Sequence, residues 1–287
     1  MFNDAGRPSE QGTVEGWWAS PTLYRVVYTS PSYTGTELRN TDGFFRTAGP
    51  GSETSLSNLM LRQVIHPMPS ENEIKSAKLE EQTESFGKVK LDCVMLGAEI
   101  KGLDFSPFGL FPMYCMDQNS SSLRLSFEFG DLAITRNRMG KFLERTVPLN
   151  ISANSNGKLL VTGKVTVLQT AQLTAADFVP SDALVKVEDA PAKLAAGVLA
   201  GHIIKASQVQ PTYPPDAKAK HISGTVVLRA LIGRDGHIYH LIPVSYPSGD
   251  LAVSALTAVR HWAYTPYLLN GEPTEVDTTI KVNYDFH

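Results

Sequence analysis

A chain of 287 residues is long enough for two domains at roughly 100–200 residues each. Its 42% hydrophobic and 19% charged residues and net charge of −3 belong to an ordinary globular protein, and they exclude a global basic field for nucleic acid. No block of like charge occurs, and no apolar run approaches the ~18 residues that would span a bilayer.

The opening Met1-Phe2-Asn3-Asp4-Ala5-Gly6 lacks a basic region followed by an apolar core, so it does not read as a signal peptide. As written, the chain carries no export address, which suits either a cytosolic protein or part of a longer, membrane-anchored or secreted one. Cys93 and Cys115 are the two cysteines. They fit one disulfide, a half-built metal site or two unrelated buried thiols. Neither belongs to a Cys-x-x-Cys pair. A disulfide is the expectation for an exported protein and not for a cytosolic one.

In chain order, residues 1–180 read as mostly antiparallel β with helical inserts. Strand-like runs are expected over residues 23–29, 36–40, 132–136, 142–147 and 158–168. In residues 123–129, Leu123, Leu125, Phe127 and Phe129 alternate with Arg124, Ser126 and Glu128, the period of two of a half-buried strand. Residues 55–65 place Leu56, Leu59, Met60 and Val64 at helical spacing, stopped by Pro67 and Pro69. Ser70-Glu71-Asn72-Glu73 fits a capping box opening a polar, solvated helix that carries Glu80 and Glu81. Several antiparallel strands with one apolar face and a helix to cover it suggest a curved sheet or half-barrel.

Residues 181–206, rich in Pro, Ser, Asp, Ala and Gly, read as a linker. Beyond it, residues 224–232 and 237–244 form a hairpin through Arg234-Asp235-Gly236. Ser248 or Asp250 caps the next helix. Leu251, Ala255, Ala258, Val259 and Trp262 share one face of it, and Pro266 ends it. Asn270-Gly271 is a turn. In the last strand Val276, Thr278, Ile280, Val282, Tyr284 and Phe286 face one way. Glu275, Asp277, Thr279, Lys281, Asn283 and Asp285 face the other. The expected fold is α+β, with Trp262, Tyr284 and Phe286 in the core of a small C-terminal domain.

Signals for chemistry are absent. There is no Gly-x-Ser-x-Gly elbow and no phosphate-cradling glycine loop. His237 and His240, three apart in a strand, point to opposite faces. The remaining histidines stand at no metal-ligand spacing. The expectation is a protein without enzymatic activity and without a cofactor.

The C-terminal residues resemble the TonB C-terminal domain family. The resemblance starts at Gln210-Pro211-Thr212-Tyr213-Pro214, similar to the Gln-Pro-x-Tyr-Pro element that opens such domains. It continues through Ala217, Gly224-Thr225-Val226-Val227-Leu228, Gly233-Arg234-Asp235-Gly236, residues 255–266 and Asn270-Gly271-Glu272-Pro273 to the strand ending at Phe286. It implies an αββαβ domain over residues 207–287 of a periplasmic, energy-transducing protein. Such a domain binds the "TonB box" peptide of an outer-membrane TonB-dependent receptor by adding it as a strand to its sheet. The partner-binding residues implied are Gln210, Pro211, Tyr213 and Pro214 with Ile280, Lys281, Val282, Asn283, Tyr284, Asp285 and Phe286. In the family an N-terminal membrane helix contacts ExbB–ExbD. That partnership is expected here only if such a helix precedes this chain. The 1–180 layout is similar, by architecture alone, to LolA/LolB-type half-barrels. It opens an alternative: a carrier of an apolar ligand, with the C-terminal module for docking. A deep cavity lined by Leu123, Leu125, Phe127 and Phe129 would mark that alternative, and a filled core would mark the first reading.

Overall fold

The computed structural model describes residues 1, 8–48, 60, 63–64, 67–129, 131–188 and 190–285. The elements in chain order begin with β1 (Thr13–Ser20), β2 (Leu23–Thr29), β3 (Thr34–Asn40), β4 (Gly43–Thr47), α1 (Glu71–Ser76), β5 (Lys78–Phe86) and β6 (Val89–Gly97). There follow β7 (Met113–Asp117), β8 (Leu123–Glu128), β9 (Leu132–Phe142), β10 (Arg145–Ser155), β11 (Lys158–Lys164), β12 (Leu184–Val187) and β13 (Ala192–Lys193). Last come α2 (Pro215–Ala219), β14 (Gly224–Ile232), β15 (Ile238–Ser245), α3 (Gly249–Val259), β16 (Leu268–Leu269), β17 (Glu272–Pro273) and β18 (Val276–Tyr284). The fold is α+β, with mostly antiparallel open sheets and no closed barrel among the described residues.

The chain packs as two compact units: Met1–Pro67 with Ile134–Ala190 and Leu268–Pro273, and Met68–Ala133 with Pro191–Tyr267 and Thr274–His287. In the first unit the sheet runs β1-β2-β3-β4-β12. Alternating side chains Val26, Tyr28, Leu38 and Phe44 fill its buried face, as the period of two requires. Arg46, 2% exposed, is bound by Glu272 at 2.6 Å. Glu272 is held there by the β16–β17 hairpin, whose Asn270 and Gly271 have φ of 55° and 86°. Both values are positive, as a two-residue Asn-Gly hairpin turn needs. The stretch expected as a linker carries structure: β12 anneals antiparallel to β4, and β13 pairs parallel with β18.

In the second unit β5-β6-β7-β8 form an antiparallel meander. Cys93 and Cys115 face each other directly across β6 and β7 and form a disulfide; both are buried. The other sheet of this unit has the order β13-β18-β14-β15. One core unites the two sheets: Leu91, Met95 and Met113 share it with Leu228, Leu251 and Trp262. Leu125 is buried in that core, and Phe127 and Phe129 pack against it. The core is therefore filled where a carrier would need a deep cavity. Phe129 also borders a hollow of about 460 Å³.

Several expectations change. The Ser70–Glu73 capping box forms, with Ser70 N–H donating to the Glu73 carboxylate at 2.7 Å. The helix it opens stops at Ser76, however, and Glu80 and Glu81 lie on β5. β5 borders one side of the meander and is polar from Glu80 to Ser85, so it shows no period of two; its pairing with β6 creates it. β6 itself alternates Leu91, Cys93 and Met95 inward, a readable signal absent from the expected strands. The expected strand 142–147 straddles the turn between β9 and β10, where Leu143 takes φ 51°. The expected helix 55–65 falls largely outside the described residues; Met60, Gln63 and Val64 are helical. α3 ends at Val259, before Pro266. Trp262 N–H bonds back to Val259 O at 2.9 Å, a tightened last turn that drops Trp262 into the core just beyond the helix.

Candidate functional site

The C-terminal sheet offers two borders, and their chemistry differs. Along β15, Pro243 pairs with Leu228. Leu228 directs its backbone toward β18, so the nitrogen of Pro243 faces away from β14, where a partner strand would need an N–H. Proline at such a position blocks an edge.

The β18 border carries no proline. Its direction follows from β13: Ala192 N–H donates to Glu275 O at 2.7 Å and Leu194 N–H to Asp277 O at 3.0 Å. Odd-numbered residues of this strand therefore point their backbone groups away from β14. By alternation Thr279, Lys281 and Asn283 do the same. The even positions Val276, Thr278, Ile280, Val282 and Tyr284 turn their side chains into the core, all 8% exposed or less. Among the described residues no strand covers the border over 279–285. Lys281, Asn283 and Asp285 are exposed there, polar side chains that keep an open border soluble. Asn283 is steadied by the Thr225 hydroxyl, which donates to its Oδ1 at 2.8 Å. Arg229 braces the covered end through two bonds to Asp277 at 3.0 and 2.7 Å. That hydrogen bonding holds the Asp277 carboxyl below the usual carboxylate range.

The segment 210–214 lies against the end of this strand. The Tyr213 ring stands edge-on to Tyr284 with centroids 5.5 Å apart, and the Tyr213 hydroxyl donates to Ile222 O at 2.6 Å. The Tyr284 hydroxyl donates to Ser254 Oγ at 2.9 Å, and Ser254 donates in turn to Thr212 O. Burial pushes the Tyr284 phenol up, keeping it a donor. One residue earlier, the Trp262 indole N–H donates to Val209 O at 2.8 Å. An extended segment without secondary structure of its own is thus pinned by α3, the Trp262 turn and β18. Gln210 is exposed, and Pro211 and Pro214 are half-buried. A groove of about 430 Å³ runs beside them, between Leu103 and Pro107 on one side and α3 on the other.

Of the residues singled out in the sequence, Tyr213 and Tyr284 are in direct contact. Ile280 and Val282 are core, Lys281, Asn283 and Asp285 are outward, and Phe286 lies outside the described residues. Sequence reasoning missed the fastening residues Ser254 and Trp262 Nε1, and the cover supplied by Ala192 and Leu194. Pro243 within a strand was a readable sign of an edge.

Residues 209–286 match the family of the Gram-negative bacterial TonB protein C-terminal. This part of the chain is a TonB C-terminal domain. The order α2-β14-β15-α3-β18 is the αββαβ arrangement that the resemblance implied. Among curated proteins the chain is similar to Protein TonB of Vibrio cholerae serotype O1 (strain ATCC 39315 / El Tor Inaba N16961). The two are 35% identical over 79 residues, which make up 27% of this chain and 32% of that protein. The chain therefore spans about a third of the length of the curated relative it matches. No solved structure matches it. Among the described residues no helix is long and apolar enough to cross a membrane.

Proposed function

We propose that this protein is a TonB-like component of energy-coupled transport in the periplasm, working by binding and without chemistry of its own. Its TonB C-terminal domain accepts an extended TonB-box peptide of an outer-membrane receptor as an added strand on residues 279–285. Gln210, Pro211, Tyr213 and Pro214 lie beside the end of that strand. The observation that carries the reading is the asymmetry of the two sheet borders. The β15 border is blocked by Pro243, whereas β18 turns the N–H groups of Thr279, Lys281 and Asn283 toward open solvent. Main-chain pairing then provides affinity, and neighbouring side chains provide selectivity. A coupling to ExbB–ExbD belongs to this reading only where a membrane helix precedes the chain.

The test is calorimetric titration of the full chain with a TonB-box peptide, followed by hydrogen exchange of the complex. Binding with new protection at the Lys281 and Asn283 amides supports strand addition. Binding with protection confined to the β15 amides would place the peptide on the wrong border.

A further inference from the structure

We infer that β13 sets the length of the strand that β18 accepts: a short partner pairs with residues 279–285 alone, and a longer one must displace β13. The inference rests on strand addition at β18, proposed above, and concerns residues outside the family match, which begins at residue 209.

β13 sits where the partner would continue. Its two residues pair parallel with Val276 and Asp277, so the carbonyls of Glu275 and Asp277 are already taken by Ala192 and Leu194. Thr278 closes the stop: its side-chain hydroxyl donates to Leu194 O at 3.1 Å, so β13 ends at the residue just before the open border. An incoming strand that reaches Asp277 competes with β13 for the main-chain groups of that residue, Asp277 O among them.

The hold on β13 is small enough to be overcome. It consists of a parallel ladder only two residues long with its flanking bonds from Ala192 and Leu194, the Thr278 hydroxyl and the partly buried Leu194 side chain. Parallel pairing is slightly weaker per residue than antiparallel. The open border, by contrast, spans seven residues, about 20 Å at strand rise, which matches the usual strand length of about 5–6 residues. A partner seated there advances one bond at a time, each step replacing a β13 bond by one of its own. Displacement is therefore nearly balanced, and small changes in β13 decide it.

The experiment uses the full chain and two TonB-box peptides. One covers six residues; the other is lengthened by four at both ends, so that it reaches Glu275 in either orientation. The variants are Ala192→Pro, which removes the first β13 donor next to the existing Pro191, and Thr278→Val, which removes the hydroxyl and leaves β13's own sequence intact. Melting curves verify that each variant folds. In the parent, the longer peptide should bind within about threefold of the short one, because each new bond costs an old one. In both variants the longer peptide should gain about tenfold over the short one, the equivalent of roughly one net hydrogen bond. The long peptide should also speed hydrogen exchange at the Ala192 and Leu194 amides of the parent, and the short peptide should not. If the long-to-short affinity ratio is the same in parent and variants, and those amides stay protected, β13 is a fixed part of the sheet and the inference is overturned. If the short peptide binds neither parent nor variants, strand addition itself fails and the inference with it.

Discussion

Tyr213 stands edge-on to Tyr284, ring centroids 5.5 Å apart at an interplanar angle of 88°. This contact joins the opening segment of the TonB C-terminal domain to the end of its last strand, so the two stretches that the family resemblance marked for partner binding are one surface. Tyr213→Phe keeps the ring pair and removes the donor to Ile222 O, which should cost about 1 kcal/mol. Tyr213→Ala removes both and should cost about 3 kcal/mol. Urea denaturation gives the two values; equal costs would mean that the ring contact contributes nothing.

Trp262 is 8% exposed and holds Val209 O through its indole nitrogen. Trp262→Ala should cost roughly 3–5 kcal/mol, the range for aromatic-to-alanine changes in cores. Trp262→Phe retains most of the packing but leaves Val209 O without the indole donor, at about 1 kcal/mol. A melting temperature within a few degrees of the parent for the alanine variant would contradict the packing.

The disulfide between Cys93 and Cys115 closes a sequence separation of 22, which on the chain-entropy model stabilises by about 3 kcal/mol. Both sulfurs are buried, so reductant should act slowly on the native fold and quickly once it is unfolded. Protein prepared from the periplasm should show no reactive thiol after denaturation without reductant. Two reactive thiols would mean that the bridge does not form there.

Much of this was legible in the sequence, and the parts that were not share a cause. The alternation from Val276 to Tyr284 is a local property of the chain and emerges intact as β18. The same holds for Ser70 with Glu73 and for Asn270-Gly271, where side chain or φ dictates the turn. β5 was misread because its conformation is imposed by pairing with β6, against a sequence that is polar between Leu79 and Phe86. The residues 181–206 were misread for a related reason: β12 and β13 are short strands annealed to existing borders, and the borders exist only after folding. At the site, Tyr213 and Tyr284 were marked by family resemblance. The Ser254 and Trp262 bonds that pin the segment depend on the packing of α3, which no sequence spacing encodes.

Asp277, held below the ordinary carboxylate range by its hydrogen bonds to Arg229, makes the sheet acid-sensitive. A depressed carboxyl contributes stability above its unfolded pKa of about 3.9, and that contribution is lost as pH falls through the lower folded value. Arg229 is half exposed, so solvent screening limits the pair to at most about 1 kcal/mol. Asp277→Asn should melt slightly below the parent at pH 6 and converge with it below the carboxylate range. A constant difference across that range would mean the loss is steric.

Binding of a TonB-box peptide to proline variants of β18 is the measurement on which strand addition stands or falls. Lys281 and Asn283 direct their N–H groups outward and their side chains away from the core, so Lys281→Pro and Asn283→Pro should fold, as melting curves would verify. Each deletes a donor to the partner strand and crowds its neighbours, and affinity measured by calorimetry should fall at least about tenfold. Val282→Pro, at an N–H turned toward β14, should instead damage the sheet itself. Folded Lys281→Pro and Asn283→Pro variants that bind the peptide as tightly as the parent would contradict docking on this edge.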